Sequence, residues 1–144
     1  MNQTHQMELV REFMRTFQQY IPHKTVMPEP MTQNLRYRLI DEEAQELADS
    51  TNKTQYLDAI GDLLYVVYGA ALAAGFSAHQ VDGAFNEIHR SNMSKCWSDD
   101  EIHSIPADCR STRVGDNRHI VRRNDGKIVK SPSYSPARLE GYTL

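Results

Sequence analysis

The chain has 144 residues, 40% hydrophobic and 24% charged, the balance of one folded domain. No apolar stretch reaches the roughly 18 uncharged residues of a membrane span, and the first residues lack the order of a secretory signal. The two cysteines make neither a disulfide framework nor a zinc set, so a cytoplasmic protein with no membrane partner is expected. The net charge of −3 conceals a split: residues 1–100 hold 8 basic against 14 acidic side chains, whereas residues 107–138 hold 8 against 3.

In chain order, residues 4–20 predict an amphipathic helix. Met7, Val10, Met14 and Phe17 recur at helical spacing, with Glu8, Arg11, Glu12 and Arg15 opposite. Pro22, Pro28 and Pro30 then impose an extended connection. A second helix is expected from about Asn34 to Ser50, and a third from near Asn52 to Ala74, closed by Gly75 in the left-handed position. Ser77 with Gln80 three residues on is a capping box, opening a fourth helix that ends near Lys95. Four helices with short connections predict an all-α four-helix bundle. Beyond it, Asn124-Asp125-Gly126, between the run 118–123 and Ile128-Val129, predicts a β-hairpin. The Ser/Pro run over 131–136 then leads out as an extended arm rather than a packed element. The expected organisation is a helical domain over residues 1–95, with 96–144 forming a C-terminal hairpin and extended arm of the same domain.

The third helix is apolar or small at nearly every position from Leu57 to Ala74. A helix apolar on all sides must be covered on all sides. Burial by a second subunit is therefore expected, giving a homodimer or homotetramer.

Five acids break the apolar pattern. On the second helix Leu35, Leu39, Ile40 and Leu47 define the inner face, and Glu43 and Glu46 fall within it, with Glu42 at its edge. On the third, Asp58 and Asp62 lie one turn apart in an apolar cylinder. Most acidic helix positions are simply solvated. Carboxylates that point inward must instead be protonated, paired with cations or bound to metal. Arg36 and Arg38 are the nearby candidate cations. Oxygen-only ligands from two helices suit a hard divalent ion, Mg²⁺ or Mn²⁺. A di-iron carboxylate site would need Glu-x-x-His pairs, and no Glu here has His three residues later.

The block Glu42-Glu43-Ala44-Gln45-Glu46, followed by Asp58-Ala59-Ile60-Gly61-Asp62-Leu63-Leu64-Tyr65, resembles the MazG-like, all-α nucleoside triphosphate pyrophosphohydrolases. That superfamily includes dimeric dUTPases and phosphoribosyl-ATP pyrophosphohydrolases. The resemblance spans about residues 34–95, and 125–136 looks like the C-terminal arm of some members. Ala59 stands where the family usually has an acid, and Asp58, one residue earlier, shares a face with Asp62.

The resemblance implies metal-dependent cleavage between the α- and β-phosphates of a nucleoside triphosphate, with deoxynucleotides expected and dUTP or dCTP as the alternative substrates. Glu43, Glu46, Asp58 and Asp62 would hold the metal, and Glu42 would orient or deprotonate the attacking water. Asn92 and Lys95 resemble nucleotide contacts of dUTPase-like members. Lys127 and Lys130, with Arg122 and Arg123, could reach phosphates or match the acidic body. Trp97 and Tyr134 could stack on a base, although packing is the commoner role. Two rival classes are nucleic-acid binding through the basic segment, for which no recognised motif is present, and a non-catalytic dimerisation module.

Overall fold

The computed structural model describes residues 3–144. Met1 and Asn2, where the stretch read for a signal begins, lie outside the described residues. Among the described residues the fold is mostly helical, with four α-helices and one two-stranded antiparallel hairpin. The chain divides into two compact units, the first running to Gly83 and including Tyr142–Leu144, the second Ala84–Gly141. The division falls inside the fourth helix, upstream of residue 95.

The first unit holds α1 (Gln3–Thr16), α2 (Pro30–Asp49), α3 (Lys53–Ala73) and the opening turns of α4 (Ala78–Met93). Its core packs Met7, Val10 and Met14 of α1 against Tyr68 and Leu72 of α3 and Ala78 of α4. The Tyr68 hydroxyl donates to Gln6 at 3.1 Å. α1 stops at Thr16, short of the expected residue 20. Gln18 turns left-handed (φ 57°), and the amide of Gln19 reaches back to the Met14 carbonyl at 2.7 Å. α2 begins at Pro30, four residues before the expected Asn34. A proline in the first turn forfeits no helical hydrogen bond and its φ is already set, so Pro30 starts this helix rather than blocking it.

α3 is capped as its sequence requires. The Asn52 side chain accepts from the Gln55 amide at 2.9 Å. At the other end Gly75 takes φ 76°, and the Phe76 amide bonds back to the Ala71 carbonyl at 3.1 Å. The capping box of α4 is present in both directions: Ser77 Oγ accepts from the Gln80 amide and Gln80 Oε1 from the Ser77 amide.

Among the described residues α3 is the one helix long and apolar enough to cross a membrane by length and composition, with mean hydropathy 1.3 over its best 18-residue window. It nevertheless carries Asp58 and Asp62, and it packs along α1 and α2. Only 28% of that window is buried within one chain, and Leu57, Leu64 and Val67 are exposed.

In the second unit β1 (Cys109–Gly115) pairs with β2 (Arg118–Arg123), and the chain reverses at Asp116-Asn117, where Asn117 has φ 54°. This corrects the expected hairpin, which placed β2 before the turn and Ile128-Val129 after it. The Asp125-Gly126 turn exists. Gly126 has φ 87°, the Arg123 amide bonds to the Lys127 carbonyl at 3.0 Å, and Asp125 accepts from the Lys127 amide. It brings in only a single bridge, Arg122 to Ile128. Trp97, Cys109 and Val121 form the core of this unit, with Trp97 Nε1 donating to the Val129 carbonyl at 3.0 Å. Trp97 is thus packing, not a stacking platform.

The segment expected to lead away from the fold is instead tied to the end of α4. Ser131 Oγ donates to the Ser94 carbonyl at 2.7 Å, and the Ser135 amide donates to Ser94 Oγ at 2.9 Å. Glu87 accepts from both Arg90 and the Arg138 amide, which holds its carboxyl down at about 2.

Candidate metal centre

α2 and α3 lie against one another, and α2 has no buried residue because its packing within one chain is chiefly along α3. The acids therefore line the seam of a helix pair rather than a closed core. That is a correction: Glu43 alone is half-buried, while Glu42, Glu46, Asp58 and Asp62 are exposed. The inward geometry still converges. One oxygen each from Glu43, Glu46 and Asp62 lies within 4.8 Å of the others. Asp58, one turn earlier on α3, is not in that cluster, and Glu42 stands beside it in sequence.

The electrostatics of the cluster are unrelieved. Burial, and then the charges of Glu46 and Asp62, push the Glu43 carboxyl above its usual value. Glu43 Oε2 is buried with no hydrogen-bond partner. Neither suggested cation compensates: among the described residues Arg36 and Arg38 form no ion pair, and Arg36 Nη2 donates instead to Gln19 Oε1 at 3.3 Å. Three converging carboxylates, one with an orphaned buried oxygen and none with a cationic partner, fit an oxygen-seeking divalent ion.

The sequence pattern of the phosphoribosyl-ATP pyrophosphohydrolase family matches residues 10–92, more than half the chain and both acid-bearing helices. The chain belongs to that family. Phosphoribosyl-ATP pyrophosphohydrolases are part of the MazG-like all-α superfamily. An uncharacterized protein of Acanthamoeba polyphaga mimivirus is 42% identical over 77 residues. That alignment covers 49% of this chain and 31% of the relative, so the chain spans about a third of the relative's length.

The remaining candidates of this phosphoribosyl-ATP pyrophosphohydrolase family member lie in the second unit. Lys95 Nζ donates to Asn92 Oδ1 at 3.1 Å, so these two are brought together. Lys127 is exposed, and Lys130 is exposed with its ammonium 4.5 Å from the centroid of the Tyr134 ring.

Two groupings were not foreseen from the residues. His119 Nε2 lies 2.6 Å from Asp99 Oδ1, which also accepts from Arg113 at 2.9 Å; the two donors keep Asp99 below its usual range. Nothing in the spacing of 99, 113 and 119 signals this, because the strand pairing creates it. The other is the cavity that Arg36 lines together with Leu35 and Leu39. The seven-residue offset of Arg36 from Glu43 was the available signal, since a heptad returns a helix to nearly the same face.

Proposed function

We propose that the protein is a metal-dependent nucleoside triphosphate pyrophosphohydrolase, converting a nucleoside triphosphate and water to a nucleoside monophosphate and pyrophosphate. The observation that carries this reading is the Glu43–Glu46–Asp62 cluster, within 4.8 Å and with an unpartnered buried Glu43 oxygen. It occurs in a chain whose family is a pyrophosphohydrolase family.

Glu43, Glu46 and Asp62 would hold one or more divalent ions, and Asp58, one turn earlier on α3, would join them directly or through a water molecule. Bound there, Mg²⁺ or Mn²⁺ supplies positive charge for the phosphate oxygens and acidifies water. The chain's own task is directional. Glu42, exposed beside the cluster, accepts the proton of the water that attacks the α-phosphorus. The bond from that phosphorus to the α,β-bridging oxygen breaks, and its electron pair leaves with pyrophosphate. Without positive charge, four or five carboxylates would repel a triphosphate. Deoxynucleotides are the proposed substrates, and a homodimer or homotetramer the proposed assembly.

The test is a panel of deoxy- and ribonucleoside triphosphates with Mg²⁺, scored by pyrophosphate release. Release is expected with Mg²⁺ or Mn²⁺ and none in EDTA. Undiminished turnover in chelator would contradict the metal role.

A further inference from the structure

A cavity of about 980 Å³ lies in the first unit between the α1–α2 connection and one face of α2, with Ala73 at the end of α3 also lining it. Its walls include the apolar side chains of Val26, Met27, Leu35 and Leu39, and Arg36 and Lys24 also line it. Arg36 is half-buried there and makes no ion pair among the described residues, although Glu29 also lines the cavity. Among the described residues its Nε is buried and unpartnered, and Nη2 donates to the neutral amide of Gln19. Gly69 permits this placement: a β-carbon at 69 would come within 2.8 Å of Arg36 Nη1. Burial without a counter-charge pulls the guanidinium below its usual pKa. A desolvated donor with no acceptor calls for one from a ligand.

Position relative to the acidic cluster says which part of a ligand arrives here. Arg36 precedes Glu43 by seven residues on α2, and Gly69 follows Asp62 by seven on α3. Both offsets keep the same helix face and amount to roughly 10 Å of rise. A nucleotide whose phosphates lie at Glu43, Glu46 and Asp62 has its sugar to cross that interval and its base at the cavity. Apolar walls suit a planar ring. Arg36 has five N–H donors and no acceptor.

We propose that this cavity receives the substrate's base and that Arg36 is a specificity-determining residue, favouring bases with a carbonyl oxygen at the purine 6- or pyrimidine 4-position (guanine, uracil, thymine) over those with an amino group there (adenine, cytosine). The inference rests on the nucleotide reading of the chain, but its test does not require turnover. Equilibrium binding of dGMP, dUMP, dAMP and dCMP is measured with Mg²⁺ present, with pyrophosphate as the phosphate-only probe.

The carbonyl-bearing pair is expected to bind about tenfold tighter than the amino-bearing pair. Arg36→Met should bring the four to within about twofold and leave pyrophosphate affinity unchanged. Gly69→Ala, which keeps Arg36 but displaces its guanidinium, should narrow the same ratio and serves if Arg36→Met does not fold. The ratio is internal to each preparation, so partial loss of folded protein does not shift it. Equal affinities in the wild type, a preference for dAMP or dCMP, or a ratio untouched by both variants would overturn the proposal. So would a uniform weakening that includes pyrophosphate, which would make Arg36 a phosphate contact. Failure of the parent reading looks different: no triphosphate is hydrolysed with Mg²⁺, whatever the binding ratios.

Discussion

At the scale of single residues, Glu43 decides most. Its carboxyl is pushed up by burial and by Glu46 and Asp62. A carboxyl with a raised folded pKa favours the folded state fully only while protonated. Its stabilising contribution is present below the ordinary value and is lost as pH rises through the raised one. Above that raised value the ionised Glu43 weakens the metal-free fold. Glu43→Gln should raise the metal-free melting temperature at pH 7 by about 2–4 °C. Added Mg²⁺ should stabilise the wild type and not the variant, since binding to the folded state alone raises stability. A lower melting temperature for Glu43→Gln in EDTA would count against a strained, uncompensated site. The sequence shows Glu43, Glu46 and Asp62 on facing positions because helical spacing fixes direction. It does not show that they meet at an open seam, because exposure depends on which helices cover α2.

At the scale of elements, punctuation residues were more informative than composition. Asn52, Gly75 and the Ser77/Gln80 box each act through a backbone geometry that few other residues supply, and each marks its helix end correctly. Gly75→Ala should lower stability by about 1–2 kcal/mol for the left-handed backbone alone. The loss should be larger here because the new β-carbon would overlap the Lys24 carbonyl. Urea denaturation reads the difference, and an unchanged midpoint would contradict the cap. Pro30 and β1 were illegible for physical reasons. A proline both breaks and begins helices, and only its position within the turn distinguishes the two. In β1 the residues from Arg110 to Val114 are all exposed, so no apolar alternation marks the strand. Its place is set by Val121 and Trp97 across the unit's core. The Asp125-Gly126 signal was real, but it closes one bridge instead of a hairpin.

At the scale of the whole molecule, the charge split and α3 belong together. Five of the acids in residues 1–100 are Glu42, Glu43, Glu46, Asp58 and Asp62, so the acidity of the body is concentrated where a divalent ion is proposed. α3 exposes Leu57, Leu64 and Val67 within one chain, more apolar surface than a core helix leaves uncovered. Light scattering at micromolar concentration should give a mass of two or four chains, and Leu64→Glu with Val67→Glu should shift it toward one. A wild-type mass of 16.5 kDa would contradict subunit burial of α3. The most direct test of the account is phosphorus NMR of a deoxynucleoside triphosphate incubated with the protein and Mg²⁺. Monophosphate and pyrophosphate should appear in equal amounts, vanish in EDTA, and fall by roughly 100-fold or more with Glu46→Gln while the helical circular dichroism is retained. Diphosphate and inorganic phosphate as products, or full activity in the Glu46 variant, would contradict it.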